Sequence, residues 1–474
     1  MQFNSFIFFF FVITVTVIYY LSPAGKRNLV LLISDYFFYS YFDYRFAFLL
    51  IGLTSITYLI GNRILNAVDY YRKRNLLIWG IVINLVVLCF FKYFNFFSKS
   101  FSSFLNILGW GNDSFTLNLL LPLGISFYIF QTLTYIFDIY YENITEKYKY
   151  IDFAVFASFF PTVVAGPIER ASRLLPQIKS DRVLNLDNLK LGINLIVIGL
   201  FRKVLIGDAA GRIVNNIFAE PQYYTSFEIL TSIILYSIQI YNDFAGYSNI
   251  ARGVAKILGF DIYTNFRQPY FAVSVADFWR RWHISLSLWL KDFLFTPLQL
   301  KFRYYKRWAN IIALMITFTL CGLWHGASWT YVFWGFLHGF YMSFALLTVR
   351  QKKYLNDFFK NKKLLYLLQI IITYFLINLA WIFFRAESFN SAFLILSRLF
   401  EFTTGEFTLR FVKIMLSFGI ISFLIDYFES RWKTDSVLSK AKPAVGFAIS
   451  LAILILVFAY LLTADKSPFI YAQF

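Results

Sequence analysis

Apolar runs long enough to cross a bilayer, near 20 residues, recur from one end of this chain to the other, with no soluble-looking half. They lie at 5–21, 29–60 (long enough for two), 77–97, 117–140, 189–206, 226–245, 309–326, 329–349, 364–384, 409–427 and 444–463. In hydrocarbon each backbone polar group must find its partner within the protein, and a helix satisfies its own. The runs therefore predict an all-α integral membrane protein with roughly eleven or twelve transmembrane helices. Charged residues make up only 15% of the chain, against roughly 25% in ordinary soluble domains, and the mean hydropathy is +0.61. One multi-spanning membrane domain over residues 1–463 is expected, with 464–474 as a tail. The first run lacks a basic n-region and a clean cleavage pattern, so it is expected to stay as a span.

Two apolar stretches are too short to cross: "FAVFASFFPTVVAGPI" from Phe153 and "ISLSLWLKDFLFTPL" from Ile284. Both end in proline-bearing turns. Irregular backbone at membrane depth has to be buried in protein or line a wet cavity, so these predict re-entrant segments around a pocket.

A formal charge of +18 suggests nucleic acid only until its distribution is read. The excess sits in short connectors, near Lys26, Arg72, Arg173 and Arg303 and around Lys352 and Lys362. Short loops rich in lysine and arginine normally stay cytoplasmic, so the charge reports topology and the partner is a lipid bilayer, not nucleic acid. Cys89 and Cys321 each fall in an apolar run and form neither a disulfide framework nor a zinc spacing. The sequon at Asn143 is too short a motif to carry weight.

Only three histidines occur, His283, His325 and His338, so few groups can exchange a proton near neutral pH. "FWRRWHISLSLWL", from Phe278, sets the first beside Arg280 and Arg281 among three tryptophans. Tryptophan and arginine together are ordinary anchors at a membrane interface. Equally, paired arginines suit a polyanionic donor such as a phosphorylated cofactor, since a guanidinium binds phosphate through two parallel hydrogen bonds. On helical spacing Trp279, Trp282, Leu286 and Trp289 share one side, with Arg280, Ser287 and Lys291 on another.

His325 is more informative. The residues from Ile311 to Leu347 read as two apolar helices joined by a tight connector at Gly326–Ser328, with Arg307 and Arg350 at their far ends. If those bases mark the cytoplasmic side, His325 lies well away from it, and an ionisable residue inside a membrane is a functional candidate. Gly322 and Gly326 have the G-x-x-x-G spacing that lets backbones approach closely. His338, in "GFLHG", repeats the pattern at mid-span, where a hydrogen bond across the helix crossing accounts for it. The histidines show no i, i+4 pairing or acidic cluster of ligand spacing, so no metal site is expected. No G-x-S-x-G elbow is present to support a Ser-His-Asp hydrolase.

Six motifs in order carry a resemblance: "LPLGISFYIFQTLTYIFDIYY" from Leu121, "FFPTVVAGPIER" from Phe159, "GLFRKVLIGD" from Gly199, "YSIQIYNDFAGYSNIARG" from Tyr236, "FWRRWHISLSLWLKDFLFTPL" and "GLWHGASWTYVFWGFLHG". Together they resemble the membrane-bound O-acyltransferase family, in its bacterial branch of alginate and peptidoglycan O-acetyltransferase membrane subunits. That resemblance implies a ring of helices around a thinned centre in the bacterial cytoplasmic membrane. It also implies transfer of an acyl group, here acetyl, from a cytoplasmic acyl-CoA such as acetyl-CoA, with no bound cofactor. The group would pass to an extracytoplasmic polysaccharide or to a partner acetyltransferase. The family's essential histidine carries over to His325 and its second histidine to His283; none carries over to His338. A lipid or oligosaccharide translocator would share the many spans and a wet interior but would have little use for a deep base, and a structural subunit of an export complex would tolerate changes at both histidine motifs.

The tail "ADKSPFIYAQF" places Phe469, Ile470, Tyr471 and Phe474 after Pro468. It resembles the "FIYFQF" close of the same branch and departs from it at Ala472. The expectation is that it folds back into the outer funnel and brings the Tyr471 hydroxyl toward His325, as an acyl relay or as an acceptor mimic.

Overall fold

In the computed structural model, which describes residues 1–111 and 113–463, each apolar run carries a helix, and no strand occurs among the described residues. Two compact units are formed. The first takes Met1–Ile196 and Ile250–Tyr263, the second Val197–Asn249 and the described residues from Thr264 on.

The first unit holds α1 (Phe6–Leu21), α2 (Arg27–Ser40), α3 (Tyr44–Asn66), α4 (Tyr70–Leu88), α5 (Phe94–Ile107), α6 (Ile125–Tyr140), α7 (Tyr150–Ser158) and α8 (Ala171–Lys179). The boundary between units falls within α9 (Leu186–Leu200) and again within α11 (Ser226–Ile257), with α10 (Ala209–Ala219) between them in sequence. The second unit continues with α12 (Val275–Arg281), α13 (Ile284–Leu290), α14 (Thr296–Lys301), α15 (Arg307–His325), α16 (Trp329–Leu347), α17 (Val349–Phe358), α18 (Lys362–Arg385), α19 (Phe389–Arg398), α20 (Thr408–Trp432) and α21 (Pro443–Thr463).

Among the described residues six helices are long and apolar enough to cross a bilayer: α3, the 38-residue stretch Tyr70–Ile107, α15, α18, α20 and α21. The runs predict eleven or twelve; some of their helices, such as α1, α2 and α6, are shorter than 18 residues, while α11 and α16 are long enough but carry too many polar residues to qualify by length and apolarity. The run at 29–60 breaks between α2 and α3, where the Asp43 carboxylate accepts the Arg45 backbone N–H at 2.9 Å and starts a new helix. In the run at 117–140 only Ile125–Tyr140 is helical. Gly124, at φ 72°, makes the entry turn there, and a side chain at that position would collide with the Val163 carbonyl.

Neither short stretch forms a spanning helix. The nine residues of α7 reach about 14 Å, half of a hydrocarbon core of about 30 Å. The turns that follow α7 are buried and satisfied from within the first unit. Phe160 N–H donates to the Asp35 carboxylate at 2.8 Å, Gly166 N–H to the Thr162 carbonyl at 3.0 Å, and Ser172 N–H to the Asp138 carboxylate at 2.9 Å. This is the condition under which irregular backbone survives away from water. The second stretch runs without a break from α13 through a π-helical turn at Lys291–Phe295 into α14, and is not among the helices apolar enough to cross.

Candidate active site

The segment from Val273 to Leu290 is not one helix, as the periodic spacing of its tryptophans suggested. Ser274 caps α12 by accepting the Asp277 N–H at 3.1 Å, and the Asp277 carboxylate accepts the Val273 N–H at 3.2 Å in return. The helix then stops at Arg281. His283 takes up left-handed backbone, φ 41° and ψ 55°, before α13 begins. For a non-glycine residue this conformation costs about 1 kcal/mol, so something must hold it. Asn265 does: its carbonyl accepts Ile284 N–H at 3.0 Å and its side-chain oxygen accepts the Ser285 hydroxyl at 2.7 Å. Arg267 N–H donates to the Arg281 carbonyl at 3.0 Å on the other side of the kink.

The kink drives the His283 imidazole inward, where it is fully buried. Its ring meets Phe244 edge to face at 4.8 Å between centroids and lies 6.2 Å from the Trp324 ring. Trp324 belongs to the C-terminal turn of α15, next to His325, whose own ring is 4.9 Å from it. The two histidines, 42 positions apart by number (325 − 283), thus share one indole. Trp334 of α16, at 5.1 Å, and Phe384 of α18, at 5.4 Å, complete the described aromatic wall of His325, which is 2% exposed.

Small residues make that approach possible. A side chain on Gly322 would strike the Tyr331 carbonyl, and one on Gly335 would strike the Phe318 carbonyl, so α15 and α16 pack backbone against backbone. A side chain on Gly326 would run into the Tyr331 ring, which keeps the connector after His325 tight.

His338 belongs to the same neighbourhood. Its ring lies 4.7 Å from Trp334, on which His325 also packs, and its Nδ1 accepts a hydrogen bond from the Trp279 indole N–H at 3.1 Å. A ring nitrogen that accepts carries no proton, so neutral His338 holds its hydrogen on Nε2. The bond ties α16 to α12, which carries Arg280 and Arg281.

The two arginines face differently from the histidine. Arg280 is 71% exposed and Arg281 34%, and both pair with Asp277, at 3.3 and 3.1 Å. Burial pushes the Asp277 carboxyl up, but hydrogen bonds from Arg281, the Val273 N–H and Arg280 outweigh it and leave it below the ordinary carboxylate range. Tyr471 and the rest of the tail lie outside the described residues.

Chemically, this is a buried aromatic cluster in which two imidazoles pack on one indole, next to a helix that presents guanidinium groups. Residues 139–385 match the model of MBOAT, the membrane-bound O-acyltransferase family. The chain belongs to that family. It is 36% identical over 415 residues to a probable alginate O-acetylase AlgI of Pseudomonas aeruginosa, covering 86% of this chain and 76% of that protein. It is 33% identical over 412 residues to a peptidoglycan O-acetyltransferase of Helicobacter pylori, covering 80% and 75%. A teichoic acid D-alanyltransferase of Bacillus subtilis is 29% identical over 289 residues, 58% of this chain and 71% of that one. This protein is therefore a multi-pass membrane O-acyltransferase, and His283, His325 and His338 all fall inside the family match.

Sequence reasoning assigned no role to a second polar cluster in the same unit. Arg202, 1% exposed, donates to the Asp426 carboxylate at 2.7 Å and to Glu429 at 3.1 Å, while the Tyr241 hydroxyl donates to Asp426 at 2.9 Å. Lys203 pairs with Asp208 at 2.6 Å and Asp243 at 2.5 Å. The signal was available: adjacent Arg and Lys inside one apolar run, with carboxylates isolated in others, predict pairing among spans.

Proposed function

We propose that this membrane O-acyltransferase moves acetyl from cytoplasmic acetyl-CoA to a hydroxyl on the far side of the bacterial cytoplasmic membrane. The final acceptor is a cell-envelope polysaccharide, reached directly or through an extracytoplasmic acetyltransferase partner. One observation carries the reading: His325 ends α15 at the opposite pole from Arg307, enclosed by Trp324, Trp334 and Phe384, and shares Trp324 with His283. O-acetylation of alginate and of peptidoglycan by the relatives supports acetyl as the group transferred.

In this reading the His325 imidazole takes the proton of the acceptor hydroxyl as its oxygen attacks the thioester carbonyl. The carbon–sulfur bond then breaks, and the same proton passes to the leaving thiolate, so ester and free CoA are the products. General-base assistance of this kind is worth about 10²- to 10⁴-fold. The aromatic wall keeps out water that would otherwise compete as the nucleophile. His283 acts at the donor side of the shared indole. Arg280 and Arg281 attract the donor's phosphates, Arg280 being the more accessible of the two. Tyr471 serves as acyl relay or acceptor mimic, its hydroxyl needing a base to become a nucleophile.

The test is purified protein in lipid nanodiscs with acetyl-labelled acetyl-CoA. Release of CoA together with ester formation on an added acceptor supports transfer. Movement of unmodified glycan across a liposome, with no CoA released, would instead establish a translocator.

A further inference from the structure

We infer that Arg385 is an acceptor-recognising residue and that the acceptor it takes is anionic, a chain bearing carboxylate or phosphate groups. The inference rests on the acyl-transfer reading for its purpose, though not for its geometry. α18 begins with Lys362 and Lys363, as α15 begins with Arg307, and the two helices end at Arg385 and His325. Those ends meet, because Phe384 packs on the His325 ring at 5.4 Å and on Tyr331 at 4.9 Å. Basic residues concentrate at the cytoplasmic ends of spans, so an arginine at the other end, one residue from the wall of the base, asks for a reason.

Its contacts supply one. The Arg385 guanidinium donates to the Asn215 side-chain oxygen at 2.9 Å and lies 5.6 Å from the centre of the Phe218 ring. Both contacts are neutral, and among the described residues no carboxylate pairs with it. Arg202, in the same unit, has two. A guanidinium carries five N–H donors in a planar fork, of which Asn215 engages one side, leaving donors for a two-oxygen anion. An arginine anchoring itself to lipid headgroups would extend away from the protein. This one is turned onto α10, where it lies over Phe218, and the Phe218 ring in turn packs 5.9 Å from the Tyr236 ring. The Tyr236 hydroxyl is buried and has no hydrogen-bond partner among the described residues. A cation with neutral contacts, at the helix end whose Phe384 packs on His325, and an unused phenol hydroxyl behind Phe218 form a cradle for the charged substituent of an acceptor whose hydroxyl faces His325.

The experiment measures binding without any donor, so it does not depend on transfer. Wild type, Arg385→Gln and Arg385→Lys are placed in zwitterionic-lipid nanodiscs and titrated calorimetrically with a uronate hexasaccharide, its methyl ester and a glycerol-phosphate oligomer. Wild type is expected to bind one of the two anionic oligomers about tenfold or more tightly than the neutral ester, as a charge-assisted hydrogen bond predicts. Arg385→Gln should bring charged and neutral probes to within about twofold, and Arg385→Lys should keep part of the preference. Which oligomer wins separates carboxylate from phosphate recognition. Tyr236→Phe, a change that preserves shape, should weaken the anionic probe alone and guards against misfolding of the arginine variants. Equal binding of all three probes by wild type, or a preference surviving in Arg385→Gln, overturns the inference. So does a preference abolished by anionic lipid in the disc, which would identify a headgroup as the occupant. CoA release, measured separately on wild type, decides the transfer reading: its absence with binding intact removes that reading and leaves the anion site.

Discussion

Arg202 and His325 are buried to nearly the same degree in the same compact unit, yet their surroundings are opposite. Around Arg202 and Lys203 stand four carboxylates, from Asp208, Asp243, Asp426 and Glu429, at 2.5 to 3.1 Å. Around His325 the described wall is aromatic, with ring centroids at 4.9 to 5.4 Å. A cluster whose charges answer one another holds elements together and has little capacity left for a substrate. An imidazole packed among ring faces is held in place by the described aromatic wall, which is the setting of a base. The contrast assigns structure to the first region and chemistry to the second, and mutations should separate them.

The largest effect is expected at His325. His325→Ala should lower CoA release and ester formation by about 10²- to 10⁴-fold while membrane insertion and melting temperature hold; near wild-type turnover would remove the base assignment. Asp426→Ala should reverse that pattern. Stripping a carboxylate from buried Arg202 costs about 3–5 kcal/mol, so melting in detergent should fall steeply, with activity lost only in proportion to folded protein. If instead the variant folds normally and turns over slowly, the ion cluster belongs to the chemistry and the contrast collapses.

Smaller changes sharpen it. Arg280→Ala is expected to raise the KM for acetyl-CoA several-fold, on the order of one charge-assisted hydrogen bond, with kcat kept; an unchanged KM would return the arginine to membrane anchoring. His338→Gln should lower kcat modestly, because among the described contacts His338 is linked to His325 through Trp334, while Gln can still accept the Trp279 bond and leave donor KM unaltered. Tyr471→Phe should block transfer to acceptor with donor binding intact if the hydroxyl relays the acyl group, and full activity would leave Tyr471 no role in the chemistry. The smallest effect concerns pH. The Asp277 carboxyl is held below its ordinary value, so its pairing with Arg280 and Arg281 is fully present above about pH 4, the unfolded value. It is lost only as pH falls through the lower folded value. Stability between pH 5 and 8 should therefore be the same slope in wild type and Asp277→Asn, which melting curves can check.

Much of this was legible beforehand. Apolar runs place helices because burial from water is an additive property of neighbouring residues, and His325 and His283 stand out because ionisable groups are scarce in such runs. Helix endings were not legible. The kink at His283 comes from Asn265, eighteen positions earlier by number (283 − 265), so no local spacing could reveal it. The same holds for the bond from Trp279 to His338, separated by 59 positions, and for Arg202 with Asp426, separated by 224. Pairings of that range are decided by how helices cross, and periodicity within one helix is silent about them.

The left-handed backbone at His283 also bears on how its side chain should be interrogated. Histidine and asparagine adopt that conformation more readily than most residues, and glycine without cost, whereas alanine gains nothing from it. Alanine at 283 would remove the imidazole and at the same time relax the corner that aims Trp282 and Arg281, mixing two losses in one number. His283→Asn keeps the corner and removes only the ring chemistry, and His283→Gly opens a ring-sized void into which added imidazole can diffuse. Rescue of the glycine variant by imidazole would report on the ring alone.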